Sequence, residues 1–354
     1  LDYAVAAPVR KEVLKVMAEV GRYFANPSSM HNAGKKAKDL LEYSRTKIKK
    51  ILNANKDKII FTSSGTESVN LALKGIANAY KKKETHIITS KVEHKAVLET
   101  CRFLEKEGFR VTYLDVDKYG RVNPKDVEKA ITKKTILVSI MYANNEVGTI
   151  QPIREIAEIA KKKKVLFHAD ACQAGYLDLD VRKLGVDLLT LNSNKVYGPK
   201  GAGLLYVKEG VELQPLIHGG GQELGLRSGT ENVPAIAGFA KALELAQKEK
   251  EVENKRLQKL RDYFVVEIQK KVPGTILNGH PTERLPNNVN VTSLKIPSDL
   301  LVIELSAHRV MASSKSACKS SSSAGSYVIK ALRPDAEGEI GGLRFSMGSD
   351  TKKE

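Results

Sequence analysis

The sequence predicts an α/β fold: a mostly parallel sheet of seven strands covered by helices on both faces, followed by a smaller α+β domain. Three observations predict it. Strand-like and helix-like patterns alternate from residue 59 to residue 210, which is the signature of a parallel sheet with crossover helices. Residues 232 to 271 read as one long charged helix, or a bent pair, suited to a connector. From Val272 onward the alternation breaks into short strands, short helices and Ser/Gly-rich loops.

The strands of the sheet are read in order. Ile59-Ile60-Phe61 is followed by a helix over 68–80, and His86-Ile87-Ile88-Thr89 by a helix over 95–106. Val111-Thr112-Tyr113-Leu114 precedes a helix over 125–131, and the run 135–141 precedes a helix over 153–162. Val165-Leu166-Phe167-His168, Leu188 to Leu191 and Gly203 to Val207 complete the seven. No internal repeat is visible. Residues 15–258 are expected to form the large domain, and 1–14 with 259–354 the small one.

Composition sets the class. The chain has 354 residues, 42% hydrophobic and 28% charged, enough for a large core. No apolar run reaches the ~18 residues of a membrane span, and no signal-peptide pattern opens the chain. Its three cysteines, Cys101, Cys172 and Cys318, are odd in number and lack CxxC spacing. That argues against a disulfide framework or a zinc site and fits a reducing cytoplasm. The net charge of +17 invites a nucleic-acid reading. Its distribution argues against one: runs such as Lys161 to Lys164 end helices, where cations complement the dipole, and aromatic residues do not interleave with them.

Several motifs carry chemistry. LLTLNSNKVYGPKG sets Lys195 between a strand and a Gly-Pro-Lys-Gly turn. A lysine fixed there is placed to form a Schiff base, because burial and nearby cations free its lone pair. Taken alone, it would be an ordinary surface lysine beside a turn. SSGTES (63–68) opens a helix with small residues, so backbone N–H groups and the Thr66 hydroxyl can meet an anion; a plain N-cap reads equally well. HADACQ (168–173) ends a strand at the carboxyl edge of the sheet, where α/β folds bind ligands. Asp170 could hold a proton on a heterocyclic nitrogen there, or simply cap the next segment. His94 could stack on a planar ring or be a satisfied buried histidine. Cys101 reads as core and Cys172 as packing. Cys318 lies in the biased segment SSKSACKSSSSAGS, flanked by Lys315 and Lys319, where cations favour the thiolate.

In order, these parts resemble the cysteine desulfurases of the NifS/IscS-like class, in the fold-type-I superfamily of pyridoxal-phosphate (PLP) enzymes. The resemblance runs from LDYAVAAPV to LRFSMG and is carried by NPSSMH, NNEVGTIQPI, HADACQ, YGPKG, GGGQE…LRSGTEN and SSKSAC. It implies PLP as cofactor, with Lys195 as its covalent anchor, His94 stacked on the ring and Asp170 on the pyridinium nitrogen. Gln173 and Asn145 would contact the phenolic oxygen. Gly65, Thr66 and Ser193 would hold the phosphate, with Thr230 reaching across a homodimer. Arg344 would clamp the carboxylate of L-cysteine, assisted by Asn145. Cys318 would take the sulfur as a persulfide and release alanine, for delivery to an iron–sulfur scaffold. The resemblance implies no resident metal, though Cys318 could ligate a cluster in a complex.

The chain departs from the pattern at several points. Asn192 and Asn194 stand where the family usually has Ser and His near the lysine. Tyr3 to Ala7 replaces Asn-Ala-Ala-Thr-Thr, Lys315 replaces a glycine, and Ser349 replaces an arginine. The chain stops at Glu354, short of the family's final helix, so the small domain is expected to be truncated. The competing readings are a selenocysteine lyase or another PLP lyase or aminotransferase, and a weakly catalytic scaffold in iron–sulfur assembly.

Overall fold

A computed structural model describes residues 1–81, 85–293, 296–314, 325–335 and 341–353. Helices α1 (Lys11–Val20) and α2 (Asn32–Leu52) come first. The alternating part follows: β1 (Lys58–Thr62), α3 (Gly65–Ala79), β2 (His86–Ser90), α4 (Lys95–Lys106), β3 (Arg110–Leu114), α5 (Pro124–Ala130) and β4 (Thr135–Met141). It continues through α6 (Ile153–Lys162), β5 (Leu166–Asp170), α7 (Val181–Leu184), β6 (Leu188–Asn192) and β7 (Gly203–Val207). Helix α8 (Val233–Lys271) leads to β8 (Ile276–Leu277), β9 (Asn288–Thr292), α9 (Ser298–Ala307), α10 (Tyr327–Leu332) and β10 (Leu343–Ser346).

The seven strands form one sheet in the order β1-β7-β6-β5-β4-β2-β3. Only β7 runs antiparallel to its neighbours, pairing with β1 and β6. The expected sheet is therefore present strand for strand. Its side chains alternate between two cores, as the period of two requires. Ile59 and Phe61 of β1, with Leu189 and Leu191 of β6, face α1, α2, α6 and α8. Ile60 and Leu188 face α3 and α4. Cys101 is fully buried among the latter, as its helical setting suggested.

Helix α8 is continuous over 39 residues, capped by Asn232, whose side chain accepts from Ala235 N. Its first half, through Ala246, packs on the large sheet. Leu257, Leu260 and Phe264 pack instead on the three-stranded antiparallel sheet β10-β9-β8. The N-terminal residues rejoin this small sheet, since Asp2 bridges to Ser346. Helices α1 and α2 were not read from the sequence. Residue 32–52 carries so many lysines that its apolar stripe, Ala37, Leu41, Ile48 and Leu52, is easily overlooked.

Candidate active site

The carboxyl ends of β2, β5 and β6 and the N-terminus of α3 converge on one cleft of about 240 Å³. It is lined by Gly65, Thr66, His94, Asn145, Asp170, Gln173, Lys195 and Arg344, and also by Ala4, Val5, Cys172 and Asn192. Parallel strands end at one edge, so residues far apart in sequence meet there.

Lys195 follows β6 on a single 3-10 turn, and the next residue but one, Tyr197, has φ 63°. The chain thus reverses sharply behind the lysine. The Lys195 Nζ donates to the carbonyls of Ala4 (2.6 Å) and Val5 (2.5 Å). Burial lowers the pKa of its ammonium. The nearby Arg344 charge works in the same direction, against the opposing pull of Cys172, Asp2 and Asp170. The amine is therefore easier to deprotonate than a surface lysine.

Asp170 is the last residue of β5 and is buried, with one carboxylate oxygen accepting from Cys172 N at 3.0 Å. The HADACQ segment does cap its own turn, yet the same side chain lines the cleft. His94 caps α4: its Nδ1 accepts from Ala96 N at 3.1 Å, which leaves Nε2 as the N–H. Burial holds His94 below the usual imidazole range, with Lys195 and Lys95 adding to the effect and Asp170 opposing it. It is a neutral planar ring at neutral pH.

At the α3 end, Ser64 Oγ accepts from Glu67 N, and Glu67 folds back to Ser63 N at 2.8 Å. The plain N-cap is therefore real, and it leaves the Gly65 and Thr66 amides at the cleft. A Cβ at Gly65 would lie 2.6 Å from Cys172 Sγ and 3.3 Å from Asn192 Cβ. Only glycine keeps this corner open. On the far wall, Arg344 is buried in β10. Its Nη1 donates to Asn145 O (2.8 Å) and its Nη2 to Asp2 Oδ1 (2.9 Å). Gln173 Nε2 donates to Ala4 O at 3.0 Å.

Buried Asn145 Oδ1 and Arg344 Nε have no hydrogen-bond partner among the described residues. Buried polar atoms are rarely left so, and a polar ligand in the cleft would satisfy both. An open helix N-terminus, an amine, a carboxylate and a neutral imidazole complete a donor set that fits a phosphorylated pyridine aldehyde. Ser193 and Thr230 stand apart from this lining. Ser193 is fully buried, with its Oγ toward Gly198 and without a hydrogen-bond partner among the described residues. Thr230 is exposed on the loop before α8. Asn194 Oδ1 is likewise buried and has no hydrogen-bond partner among the described residues. Cys318, with Lys315 and Lys319, lies outside the described residues.

Two features escaped the sequence reading. Cys172 was expected to be packing only, but it lines the cleft, where burial and Asp170 raise its thiol well above the usual range. The Ala4 and Val5 carbonyls that hold Lys195 leave no side-chain signal to find. The adjacency of Cys172 to Asp170 was the one clue to the first.

The profile of the class-V aminotransferase family matches residues 1–354. A protein named cysteine desulfurase IscS from Dictyoglomus turgidum is 49% identical over 356 residues, covering 100% of this chain and 90% of that protein. One of the same name from Methanosarcina thermophila is 51% identical over 350 residues, covering 98% and 86%. Among solved structures, a NifS-like protein matches with a TM-score of 0.92 at 38% identity, covering 99% of this chain and 94% of that one. SspA in complex with cysteine matches with a TM-score of 0.84 at 38% identity, covering 98% and 97%. The chain belongs to the class-V aminotransferase family and, within it, to the cysteine desulfurases.

Proposed function

We propose that the protein is a PLP-dependent cysteine desulfurase that converts L-cysteine to L-alanine and leaves the sulfur as a persulfide on Cys318. The observation that carries this reading is the convergence of Lys195, Asp170, His94, Thr66 and Arg344 on one cleft. The cysteine bound to the structural relative SspA supports the substrate.

PLP supplies a carbonyl that bonds amines and an electron sink for charge developing at Cα. Lys195 would hold that carbonyl and then move the Cα proton, a task helped by its lowered pKa. Asp170 would keep a proton on the ring nitrogen. His94 would cover one ring face, with its Nε2 free to hold or pass a proton. Gly65 and Thr66 would bind the phosphate through the helix N-terminus. Gln173 and Asn145 would contact the phenolic oxygen. Arg344, already oriented by Asp2 and Asn145, would take the substrate carboxylate, to which a guanidinium can bond twice. The Cys318 thiolate would attack the substrate sulfur as its Cβ–S bond breaks. Cysteine plus thiol thus become alanine plus persulfide, with no outside oxidant or reductant.

Ser193 would steady the phosphate pocket from beneath. The exposure of Thr230, on the same loop as Leu224 with 66% of its surface exposed, supports a homodimer in which Thr230 completes the partner's phosphate site. The sulfur acceptor is proposed to be an iron–sulfur scaffold in the cytoplasm. No helix among the described residues is long and apolar enough to cross a membrane.

The test begins with the visible spectrum of the PLP-loaded protein, followed by addition of L-cysteine with assays of alanine and persulfide. Cys318→Ala is expected to keep the cofactor band and lose persulfide. Full activity in that variant would remove the thiolate role, and no band after PLP addition would favour the scaffold reading.

A further inference from the structure

Glu93 is a carboxyl that the proposed chemistry does not use. It sits beside His94, in the turn between β2 and α4, with no exposed surface. One oxygen, Oε1, accepts from Ser90 Oγ (2.6 Å) and from Met141 N (3.0 Å). The other, Oε2, is buried and has no partner among the described residues. Met141 is the last residue of β4 and pairs in register with Asp170 of β5. The Glu93 side chain therefore fastens the turn that carries His94 to the strand beside Asp170. Two side chains also hold backbone carbonyls of the same turn: Asn144 Nδ2 donates to Val92 O, and Tyr327 Oη donates to Glu93 O.

We infer that Glu93 is a positioning residue that works in its protonated form: its neutral carboxyl pins the His94 turn to β4, and the negative charge at this edge of the cleft stays on Asp170. The geometry carries this. An ionised Glu93 would leave a buried, unpartnered anionic oxygen near a second carboxylate. Either condition is costly, and both fall on the same group. Asp170, by contrast, has Cys172 N as donor and the Lys195 ammonium as a neighbouring charge.

The titratable groups that bear on Glu93 are few. Asp170 of β5 acts on it across β4, Cys101 of α4 is its thiol neighbour, and His94 adjoins it in the chain. Among the described residues, no cation is paired with it. Burial and the Asp170 charge outweigh the two hydrogen bonds and push the carboxyl up to about 8.

The inference rests on the cofactor reading of the cleft, and its test includes a readout independent of it. Glu93→Gln keeps the acceptor oxygen and is neutral at every pH; Glu93→Ala removes the latch. The Gln variant of the full chain is expected to hold PLP affinity and turnover within about twofold of the parent at pH 7, because both partners of each bond remain. As pH rises through about 8, the parent's PLP affinity and turnover are expected to fall relative to those of the Gln variant, which shares every other titrating group. The Ala variant is expected to lose about tenfold or more in PLP affinity as the His94 ring is misplaced. In the cofactor-free protein, an infrared band of a protonated buried carboxyl is expected at neutral pH and absent from the Gln variant. Its absence from the parent overturns the inference, whatever the fate of the desulfurase reading. Equal loss in the Gln and Ala variants at pH 7 shows that the charge was needed and also overturns it. Unchanged PLP affinity in the Ala variant removes the positioning role. Should that variant fail to fold, the Gln comparison and the infrared band decide.

Discussion

At position 65 a side chain has nowhere to go, because the first atom beyond Cα would meet the Cys172 sulfur at 2.6 Å. Gly65→Ala is therefore expected to weaken PLP binding by about tenfold or more, since a displacement of this size spoils a positioned site. Adding Cys172→Ala should restore much of it. A double variant no better than the single one would mean that the crowding lies elsewhere. Arg344 gives a second test. Arg344→Gln removes a bidentate cation, and the apparent KM for L-cysteine is expected to rise more than tenfold, consistent with the ~1.5–3 kcal/mol of a charged hydrogen bond. Retention of the parent KM would show that the carboxylate binds elsewhere. The residues that meet in the cleft were legible where local punctuation announced them. Lys195 and His94 each come shortly after a β-branched or leucine-rich strand, Asp170 ends the apolar run Val165 to Ala169, and Thr66 opens a helix behind small residues. The Ala4 and Val5 carbonyls were not legible, because every residue has a carbonyl. Thr230 is exposed and, among the described residues, has no partner that could reveal a role.

Among the elements, the loop between β7 and α8 is held by one buried ion pair. Glu223 takes both terminal nitrogens of Arg45 at 2.8 Å and also accepts from Phe61 N at 2.7 Å. Glu223 and Leu224 adopt φ values of 50° and 62°, conformations that non-glycine residues avoid. The pair fixes α2, β1 and this strained turn together, and the turn leads directly to Thr230. Glu223→Gln would leave the Arg45 guanidinium with only the more exposed Glu42, bonded to its Nε at 3.2 Å, as counter-charge, at an expected cost of ~1–3 kcal/mol, below that of a wholly unpaired buried charge. Denaturation measures that cost, and Arg45→Met combined with Glu223→Gln should recover part of it, since the two positions couple. Additive losses would refute the coupling. The same helix α2 shows why some elements escaped the sequence. Strands of the central sheet are apolar runs bounded by turn residues, so they stand out. Helix α2 buries only a narrow stripe and carries lysines on its other faces, so its composition resembles a solvated segment until its partners in α8 and β1 are known.

For the whole molecule, buried titratable groups shape the dependence of stability on pH. His86 donates or accepts between Thr135 and Thr112, and His168 between Ser139 and Thr190; burial lowers both from 6.5 to about 4. Each contributes stability that is fully present above pH 6.5 and is lost as pH falls toward about 4, because the unfolded chain then binds a proton that the folded chain refuses. Glu93 acts in the opposite sense. Its folded carboxyl holds a proton up to about pH 8, whereas the unfolded one releases it near 4.5, so stability falls as pH rises through that window. Each fully engaged group sets a slope of about 1.4 kcal/mol per pH unit. Between pH 4.5 and 6.5 the buried histidines, His94 among them, outweigh the carboxyl of Glu93, and stability rises; above 6.5 the carboxyl lowers it, opposed near pH 8 by the Leu1 ammonium, whose pKa burial also lowers. Above pH 9.0 the buried thiols of Cys101 and Cys172, held protonated in the folded chain, deepen that decline. The cofactor-free protein is thus expected to be most stable near pH 6.5 in denaturant titrations across this range. His168→Gln preserves hydrogen-bonding capacity between Ser139 and Thr190 but cannot titrate, so it should make the acid limb shallower and leave the alkaline side untouched. An acid limb in that variant parallel to the parent's would show that His168 is not buried neutral in the fold.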